Sequence, residues 1–150
     1  PKQLNYIQRK LIDINYHLYG STKYLDKFGY PKALNDLNKH KFISFGKGAP
    51  SPVFNPDWAL KLGIKDSKKR SAVMKVNSVY GLLLAVQSGV GLAALPDYIT
   101  VNVPNIVKVL PKIEGPITEA HFVYPQSLKN NARVQAFRNF LYSKISEWKF

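Results

Sequence analysis

Two short polar segments occur where a predicted strand gives way to a predicted helix, and both have residue types that bind anions. Asn77 and Ser78 stand between residues 72–76 and a long apolar segment, and Ser21 and Thr22 follow another strand. The first turn of a helix has free backbone N–H groups and the positive end of the helix dipole, which favour carboxylates and phosphates. In a parallel α/β sheet, ligands bind at the carboxyl ends of strands, where we expect both segments to lie. Ordinary helix capping by the same side chains is the alternative interpretation.

The other residues that could carry chemistry do not form a catalytic or metal-binding pattern. There is no cysteine, so disulfides, thiolate metal ligands and cysteine nucleophiles are excluded. His17, His40 and His121 have no partner at the spacing that a metal site needs, and the nine carboxylates are dispersed. The sequence has neither a nucleophile elbow nor a P-loop. We therefore predict no enzyme activity, no metal and no cofactor.

The segment from Gly89 to Ala94 matches the Gly-x-Gly-x-x-Ala form of the dinucleotide-binding motif. That motif binds pyrophosphate when it lies between a strand and the start of a helix. Here the order is reversed, because an apolar helical segment precedes Gly89 and a predicted strand begins at Gly91. The pattern therefore indicates a helix end and a tight turn rather than a nucleotide site.

Hydrophobic periodicity predicts strands that alternate with helices, and these elements must position the polar segments. The predicted strands are residues 12–18, 42–45, 72–76, 91–95, 106–110 and 120–124. The apolar segment after Ser78 predicts a helix whose body is buried. A last amphipathic helix is predicted from a stripe at spacings of three and four: Val134, Phe137, Leu141, Ile145 and Trp148. This alternation is typical of an α/β domain with a largely parallel sheet.

The net charge of +13 suits a nucleic-acid partner, but the positions of the charges do not. The 22 Lys and Arg residues are scattered, and the densest cluster, residues 65–70, lies between two apolar segments, as in a solvated loop. No leader pattern and no apolar run of membrane-spanning length is present. Because residue 1 is Pro, we expect the chain to be a piece of a longer protein.

The order and spacing of several motifs resemble those of LysR-type transcriptional regulators. A polar turn is followed by Tyr-Leu, Gly-x-Pro, Asp-Leu and His between Tyr19 and His40. The resemblance continues through Val76-Asn77 and the apolar helix into Ser88-Gly-Val-Gly-Leu-Ala-Ala-Leu-Pro-Asp-Tyr98. It resumes at residues 106–110, 122–125 and 133–141, and so covers nearly the whole chain.

The resemblance implies an effector-binding domain with an α/β fold of the type II periplasmic-binding-protein class, in which two lobes enclose a small ligand. Residues 17–115 would form the second lobe, and residues 1–16 and 116–150 an incomplete first lobe. The family's winged helix-turn-helix, its linker helix and the first half of lobe one have no counterpart here. DNA would therefore be bound only through that missing part. The last helix would also lack part of its packing partner, which would leave Phe137, Leu141 and Trp148 partly exposed unless another chain covers them.

The resemblance also assigns functional residues. The implied effector-binding set combines the two helix starts with two apolar wall residues: Ser21, Thr22, Asn77, Ser78, Phe45 and Pro96. The helix starts and the excess positive charge favour a small carboxylate or another anion as the effector. The implied protein is a self-associating, cytoplasmic regulator without membrane contact.

Two other classes of protein remain open from the sequence. An extracytoplasmic solute-binding protein shares the implied fold, and an upstream signal peptide would favour it, whereas an upstream helix-turn-helix would exclude it. A basic nucleic-acid-binding module would use the charge of +13 directly, and its DNA affinity would fall steeply with salt.

Overall fold

The structure is a computed structural model that describes residues 5–46, 57–64 and 69–148. Residues 65–68 of the predicted loop cluster therefore lie outside the described residues. The chain divides into two compact units. Unit 1 consists of Pro1–Ile14 and Glu119–Phe150, and unit 2 consists of Asn15–Thr118.

Strands and helices alternate in the described residues, as predicted. The strands are β1 (Tyr6–Ser21), β2 (Phe42–Phe45), β3 (Ala72–Val76), β4 (Ala93–Pro96), β5 (Ile106–Lys108) and β6 (Ile117–Pro125). The α-helices are α1 (Thr22–Phe28), α2 (Trp58–Lys61), α3 (Val79–Gln87) and α4 (Ala132–Ser146). Short 3-10 helices cover Leu34–Lys39, Asp97–Ile99 and Gln126–Leu128. The predicted strands and the last helix are thus confirmed, with ends that shift by a few residues.

In the larger sheet, β1 runs antiparallel to its neighbours β4 and β5, whereas parallel strands were predicted. β1 lies between β4 and β5 and is antiparallel to both, with Leu18 opposite Ala94 and Gly20 opposite Val107. β6 also pairs with β1. The prediction of a largely parallel sheet is therefore wrong for these pairs. Side chains alternate with a period of two in both parallel and antiparallel strands. The sequence pattern of a strand therefore does not reveal whether it runs parallel or antiparallel to its neighbour.

The prediction of parallel strands is correct for a smaller sheet, which consists of β2 and β3. β2 and β3 run parallel, with Phe45 opposite Val76. A parallel bridge between Phe42 and Leu92 links β2 to the residue before β4. The carboxyl ends of β2, β3 and β4 therefore point to one edge of unit 2.

The core of unit 2 forms where α3 packs against these strands. Its buried residues come from one side of the helix and from β1, β2 and β4: Tyr19, Ile43, Leu82, Leu83, Val86, Ala93 and Leu95. Burying each large apolar side chain stabilises the fold by about 1.5–3 kcal/mol. The outer side of α3 is exposed, with 65% of Tyr80 and 46% of Leu84 accessible to solvent. The prediction that the whole helix body is buried is therefore wrong, because a helix packed on one face leaves its opposite side open.

The Gly-x-Gly segment is a turn, as predicted. α3 ends before Gly89, whose φ of 80° lies in the left-handed region that favours glycine. At Gly91 the backbone passes close to β2, since a Cβ there would lie 2.5 Å from the carbonyl oxygen of Lys41. The backbone N–H of Leu92 donates to that carbonyl at 2.9 Å. These contacts leave no strand-to-helix junction at which a pyrophosphate could bind.

Helix α4 of unit 1 has no buried residue, although it carries the predicted apolar stripe. Phe137 is 53% exposed, Leu141 is half-buried and Trp148, just beyond the end of α4, is 55% exposed, so the expected partial exposure is confirmed. Phe137 contacts Phe122 of β6, with ring centroids 5.8 Å apart. None of the helices in the described residues combines the length and the apolar character needed to span a bilayer.

Candidate functional site

Four of the six predicted site residues lie at the carboxyl ends of β2, β3 and β4, which we call the effector edge. Phe45 ends β2, and Asn77 and Ser78 follow β3 directly. The backbone N–H of Gly46 donates to the carbonyl of Val76 at 3.0 Å, which holds the two strand ends together. A side chain at Gly46 would overlap the Oδ1 atom of Asn77, so glycine permits this close approach.

Pro96 reaches the same edge through β4. The bridge between Phe42 and Leu92 aligns β4 with β2, so the end of β4 lies level with the end of β2. On its other side, Pro96 pairs with Tyr16 of β1. Phe45 is half-buried, whereas Pro96 is less than 2% exposed, so Pro96 shapes this edge only through the residues packed on it.

Ser78, rather than Asn77, is the residue that caps α3. Its Oγ accepts a hydrogen bond from the backbone N–H of Gly81 at 3.2 Å. The hydroxyl hydrogen of Ser78 can still donate to a ligand. Asn77 and Ser78 are both exposed. The helix start therefore serves capping and also presents side-chain donors.

Ser21 and Thr22 lie at the opposite end of the sheet from the effector edge. Ser21 pairs with Ile106, whereas Tyr16, opposite Pro96, lies five residues earlier in the same strand. An extended strand rises about 3.3 Å per residue, so this separation is about 16 Å. The expectation that both polar segments share one edge is wrong, because it assumed that β1 and β4 are parallel.

The polar groups of Ser21 and Thr22 are also used within the fold. Ser21 is buried, and its Oγ accepts from the N–H of Tyr24 at 3.4 Å as the cap of α1. The backbone N–H of Thr22 donates to the carbonyl of Asn105 at 2.9 Å. Capping is therefore the role that the geometry gives to Ser21.

A buried carboxylate next to Pro96 was not found by sequence reasoning. Asp97 is 5% exposed and accepts three hydrogen bonds. Its Oδ1 lies 2.8 Å from His17 Nδ1 and 2.8 Å from the Tyr19 hydroxyl, and its Oδ2 lies 2.8 Å from Lys108 Nζ. The carboxylate thus joins the 3-10 helix after β4 to β1 and β5.

Hydrogen bonding determines the charge state of Asp97. Burial raises the pKa of its carboxyl, but the hydrogen bonds from Lys108, His17 and Tyr19 outweigh burial, and the net effect lowers the pKa. Burial, together with the nearby carboxylate, raises the pKa of the Tyr19 hydroxyl. Asp97 is therefore ionised at neutral pH and Tyr19 is protonated, so Tyr19 donates to Asp97.

The only sequence signal for this network is a carboxylate placed directly after a buried strand. Its partners His17 and Lys108 are 80 and 11 residues away, so their proximity could not be derived from spacing. Within the described residues, no group of three or more His, Asp and Glu side chains is arranged to hold a metal ion. The chemistry that this edge offers is recognition by hydrogen bonds and apolar contact.

Comparisons with known proteins place this geometry in a family. Residues 1–145 match the family model of the LysR substrate binding domain. The chain is 25% identical over 131 residues to the uncharacterized HTH-type transcriptional regulator YhjC of Escherichia coli K12. It is 27% identical over 150 residues to the HTH-type transcriptional repressor PA14_22550 of Pseudomonas aeruginosa UCBPP-PA14. These matches cover 85% and 97% of the chain but 44% and 47% of the relatives, so the chain spans about half of their length.

Solved structures show the same fold. The regulatory domain of CrgA from Neisseria meningitidis, a LysR-type transcriptional regulator, matches with a TM-score of 0.78 and 22% identity. That match covers 97% of this chain and 71% of the CrgA domain. Full-length AphB of Vibrio cholerae matches with a TM-score of 0.67 and 15% identity, over 95% of this chain and 49% of AphB. The expected α/β fold of the type II periplasmic-binding-protein class is thereby confirmed.

The matches favour the regulator over an extracytoplasmic solute-binding protein, because the family model and both curated relatives belong to transcriptional regulators. The family consists of regulatory domains. Since its model matches nearly the whole chain, the protein belongs to the LysR substrate binding domain family and is an effector-binding domain of the LysR type.

Proposed function

We propose that this domain senses a small anionic effector at the effector edge of unit 2. The observation that carries the proposal is the parallel pairing of β2 and β3, which sets Phe45 beside Val76 and the exposed Asn77 and Ser78. The start of α3 adds the positive end of the helix dipole at the same place. Side-chain donors above an apolar wall suit a carboxylate with an apolar body. Ser21 and Thr22 remain predicted contacts, but their position does not support a role at this edge.

Effector binding is expected to depend on the side chains of Asn77 and Ser78. Asn77→Ala and Ser78→Ala should each weaken binding by about tenfold, since each removes a hydrogen bond to a charged group. Calorimetry of the complete effector domain against a panel of anionic metabolites would identify the effector and measure this loss. Ser88→Ala is the matched control, because Ser88 lies at the other end of α3 and should leave the affinity unchanged.

Two results would contradict the proposal. One is a panel in which only neutral ligands bind. The other is an effector whose affinity is the same for the wild type, Asn77→Ala and Ser78→Ala. A loss in Ser78→Ala alone would need comparison with unfolding data, because that substitution also removes a helix cap worth about 1 kcal/mol.

The predicted lobes and partners belong to the same proposal. Residues 17–115 form the second lobe of the effector domain, and residues 1–16 with 116–150 form part of the first. The exposure of Phe137 on α4 and of Trp148 just beyond it supports this assignment, since the remainder of the first lobe would cover them. The complete regulator is a self-associating, cytoplasmic protein without catalytic activity, and its DNA contacts come from outside this chain.

This division of roles predicts that the chain by itself does not bind DNA at physiological salt. Its positive charge allows weak contact with phosphates at low salt, and this contact should vanish near 150 mM salt because counterion release weakens it. Fluorescence anisotropy with a labelled duplex, measured over a salt series, would test this. Retained affinity with a steep salt slope would instead favour a basic nucleic-acid-binding module.

A further inference from the structure

A cavity of unit 2 lies at the end of β2 opposite the effector edge. It has a volume of about 510 Å³ and is bounded by α1, the residue before β2, β3 and the turn before β4. We call it the lysine pocket and define it by Lys23, Lys27, Phe28, Lys41, Val73, Met74, Gly89 and Val90. Lys41 precedes β2 and Phe45 ends it, so about 13 Å of strand lies between Lys41 and the effector edge, while Met74 lies two residues before Val76 on β3.

The wall of the lysine pocket is held in place by buried groups. The hydroxyl of the buried Tyr24 accepts a hydrogen bond from the backbone N–H of Lys41 at 2.8 Å. The carbonyl of Lys41 accepts from the N–H of Leu92 at 2.9 Å, so the backbone N–H and the carbonyl of Lys41 are both held by hydrogen bonds. The ring of Phe28 packs 4.7 Å from that of Tyr24. The pocket is therefore built before any ligand arrives, which reduces the entropy that binding would lose.

Positive charge is concentrated around one exposed aromatic ring in this pocket. The Nζ atoms of Lys27 and Lys41 lie 5.5 Å and 5.7 Å from the centre of the Phe28 ring. The stem of Lys23 packs beside Gly89, where an added Cβ would lie 3.8 Å from its Cδ. Lys23 also lines the pocket, so three lysines border the same opening.

These lysines have no carboxylate partner among the described residues. The lysine ion pairs that the described residues form involve Lys10, Lys69, Lys108 and Lys144. Asp26, the carboxylate of α1, accepts from the Tyr30 hydroxyl at 2.9 Å instead. The three lysines therefore form no ion pair within the described residues, and their combined charge would attract an anion to the pocket.

The rest of the lining is apolar and accessible. Phe28 is 42% exposed, and Val73 and Met74 of β3 are also exposed. Cations at the rim with an apolar floor are the arrangement that binds an organic anion rather than a simple salt ion. Lysine ammonium groups act as point charges toward phosphate and carboxylate oxygens.

We propose that the lysine pocket is a second ligand site, distinct from the effector edge, for a small dianion with an apolar body, such as an aryl phosphate. The anion is held by Lys23, Lys27 and Lys41, and its apolar body packs on Phe28, Val73 and Met74. The regulatory domain would thus receive two chemical signals at opposite ends of one sheet.

Titration of the full chain with phenyl phosphate and with inorganic phosphate, followed by calorimetry, tests this site. Phenyl phosphate is expected to bind in a saturable way, about tenfold more tightly than inorganic phosphate, because it also covers the apolar floor. Lys27→Gln and Lys41→Gln should each weaken phenyl phosphate binding by about tenfold. Phe28→Ala should reduce the preference for the phenyl group while retaining binding of inorganic phosphate.

Matched controls separate this site from general charge effects and from the effector edge. Lys32→Gln and Lys112→Gln remove the same charge from a different cavity of unit 2 and should leave the affinity unchanged. Asn77→Ala should also have no effect, so the two proposals can fail independently. Absence of saturable binding, or equal losses in the Lys32 and Lys41 variants, would overturn the proposal. Displacement of phenyl phosphate by duplex DNA at physiological salt would also overturn it and assign the lysines to nucleic acid. Far-ultraviolet circular dichroism of each variant would check that it is folded.

Discussion

Replacing Asp97 by alanine is expected to lower the free energy of unfolding by about 3–5 kcal/mol, as for other broken buried charge pairs. The substitution leaves the half-buried His17 and the buried Tyr19 hydroxyl without their acceptor and removes the partner of Lys108. The hydrogen bond from Lys108 lowers the pKa of Asp97 most, but its share of the stability is reduced because that side chain is 38% exposed and its ion pair is screened by water. Urea unfolding at neutral pH, followed by circular dichroism, would measure the loss.

Two further variants isolate the role of the charge. Asp97→Asn keeps the shape and one acceptor oxygen, so its loss should be smaller than that of Asp97→Ala. Asp26→Ala removes an exposed carboxylate with a single hydroxyl partner and should cost less than about 1 kcal/mol. Equal stabilities for the Asp97 and Asp26 variants would show that the network does not hold β1, β4 and β5 together.

The same carboxylate predicts the direction of the response to acid. Because the pKa of Asp97 is lower in the folded chain than its ordinary value of 3.8, ionised Asp97 stabilises the fold above that value. This contribution is lost as the pH falls below 3.8 and through the lowered pKa. The difference in unfolding free energy between the wild type and Asp97→Ala should therefore be constant at neutral pH and shrink in acid. A difference that grows as the pH falls would contradict the assignment.

Leu83→Ala is expected to destabilise the chain by about 2–5 kcal/mol, because it opens a cavity in the core of unit 2. Leu83 is 3% exposed and packs in the cluster with Ile43 and Leu95. Its neighbour Leu84 is 46% exposed, so Leu84→Ala should cost less than about 1 kcal/mol. Urea unfolding of the two variants would compare their free energies of unfolding. Both variants remove the same atoms and change the helix propensity equally, so only the burial of the side chain differs.

The pair also tests which side of α3 faces the core. Equal losses at positions 83 and 84 would contradict the packing described above. A loss at Leu84 that depends on protein concentration would instead show that another copy covers the outer side of the helix, since only association makes stability concentration-dependent.

Local features of this fold could be predicted because their partners are close in sequence. Ser21 and Ser78 cap α1 and α3 through the N–H groups of Tyr24 and Gly81, each three residues away. A glycine at the end of an apolar helical segment predicts the turn at Gly89, and its φ of 80° is the conformation that this turn requires. Short-range sterics and hydrogen bonding determine such features, so the residue types located each helix start to within one residue, and the structure decided which of the two residues is the cap. The family resemblance similarly rested on the order and spacing of motifs along the chain.

Tertiary structure decided which of these features share a site. The antiparallel direction of β1 places Ser21 and Thr22 about 16 Å from the end of the sheet that carries Asn77 and Pro96. The sequence could not reveal this, because a strand has the same two-residue period in both directions. Pairing between residues such as Tyr16 and Pro96, which are 80 positions apart, determines the edge to which each helix start belongs.

Long-range pairing also produced the two clusters that sequence reasoning missed. Asp97 meets His17 and Tyr19 only because β4 pairs with β1, and Lys41 reaches the Phe28 ring of α1 because Tyr24 anchors its backbone. The sequence by itself located the helix starts and the turns, since these depend on neighbours within a few residues, and it indicated the family through the order of motifs along the chain. The directions of the strands, and with them the effector edge, the Asp97 network and the lysine pocket, were decided by contacts between distant segments.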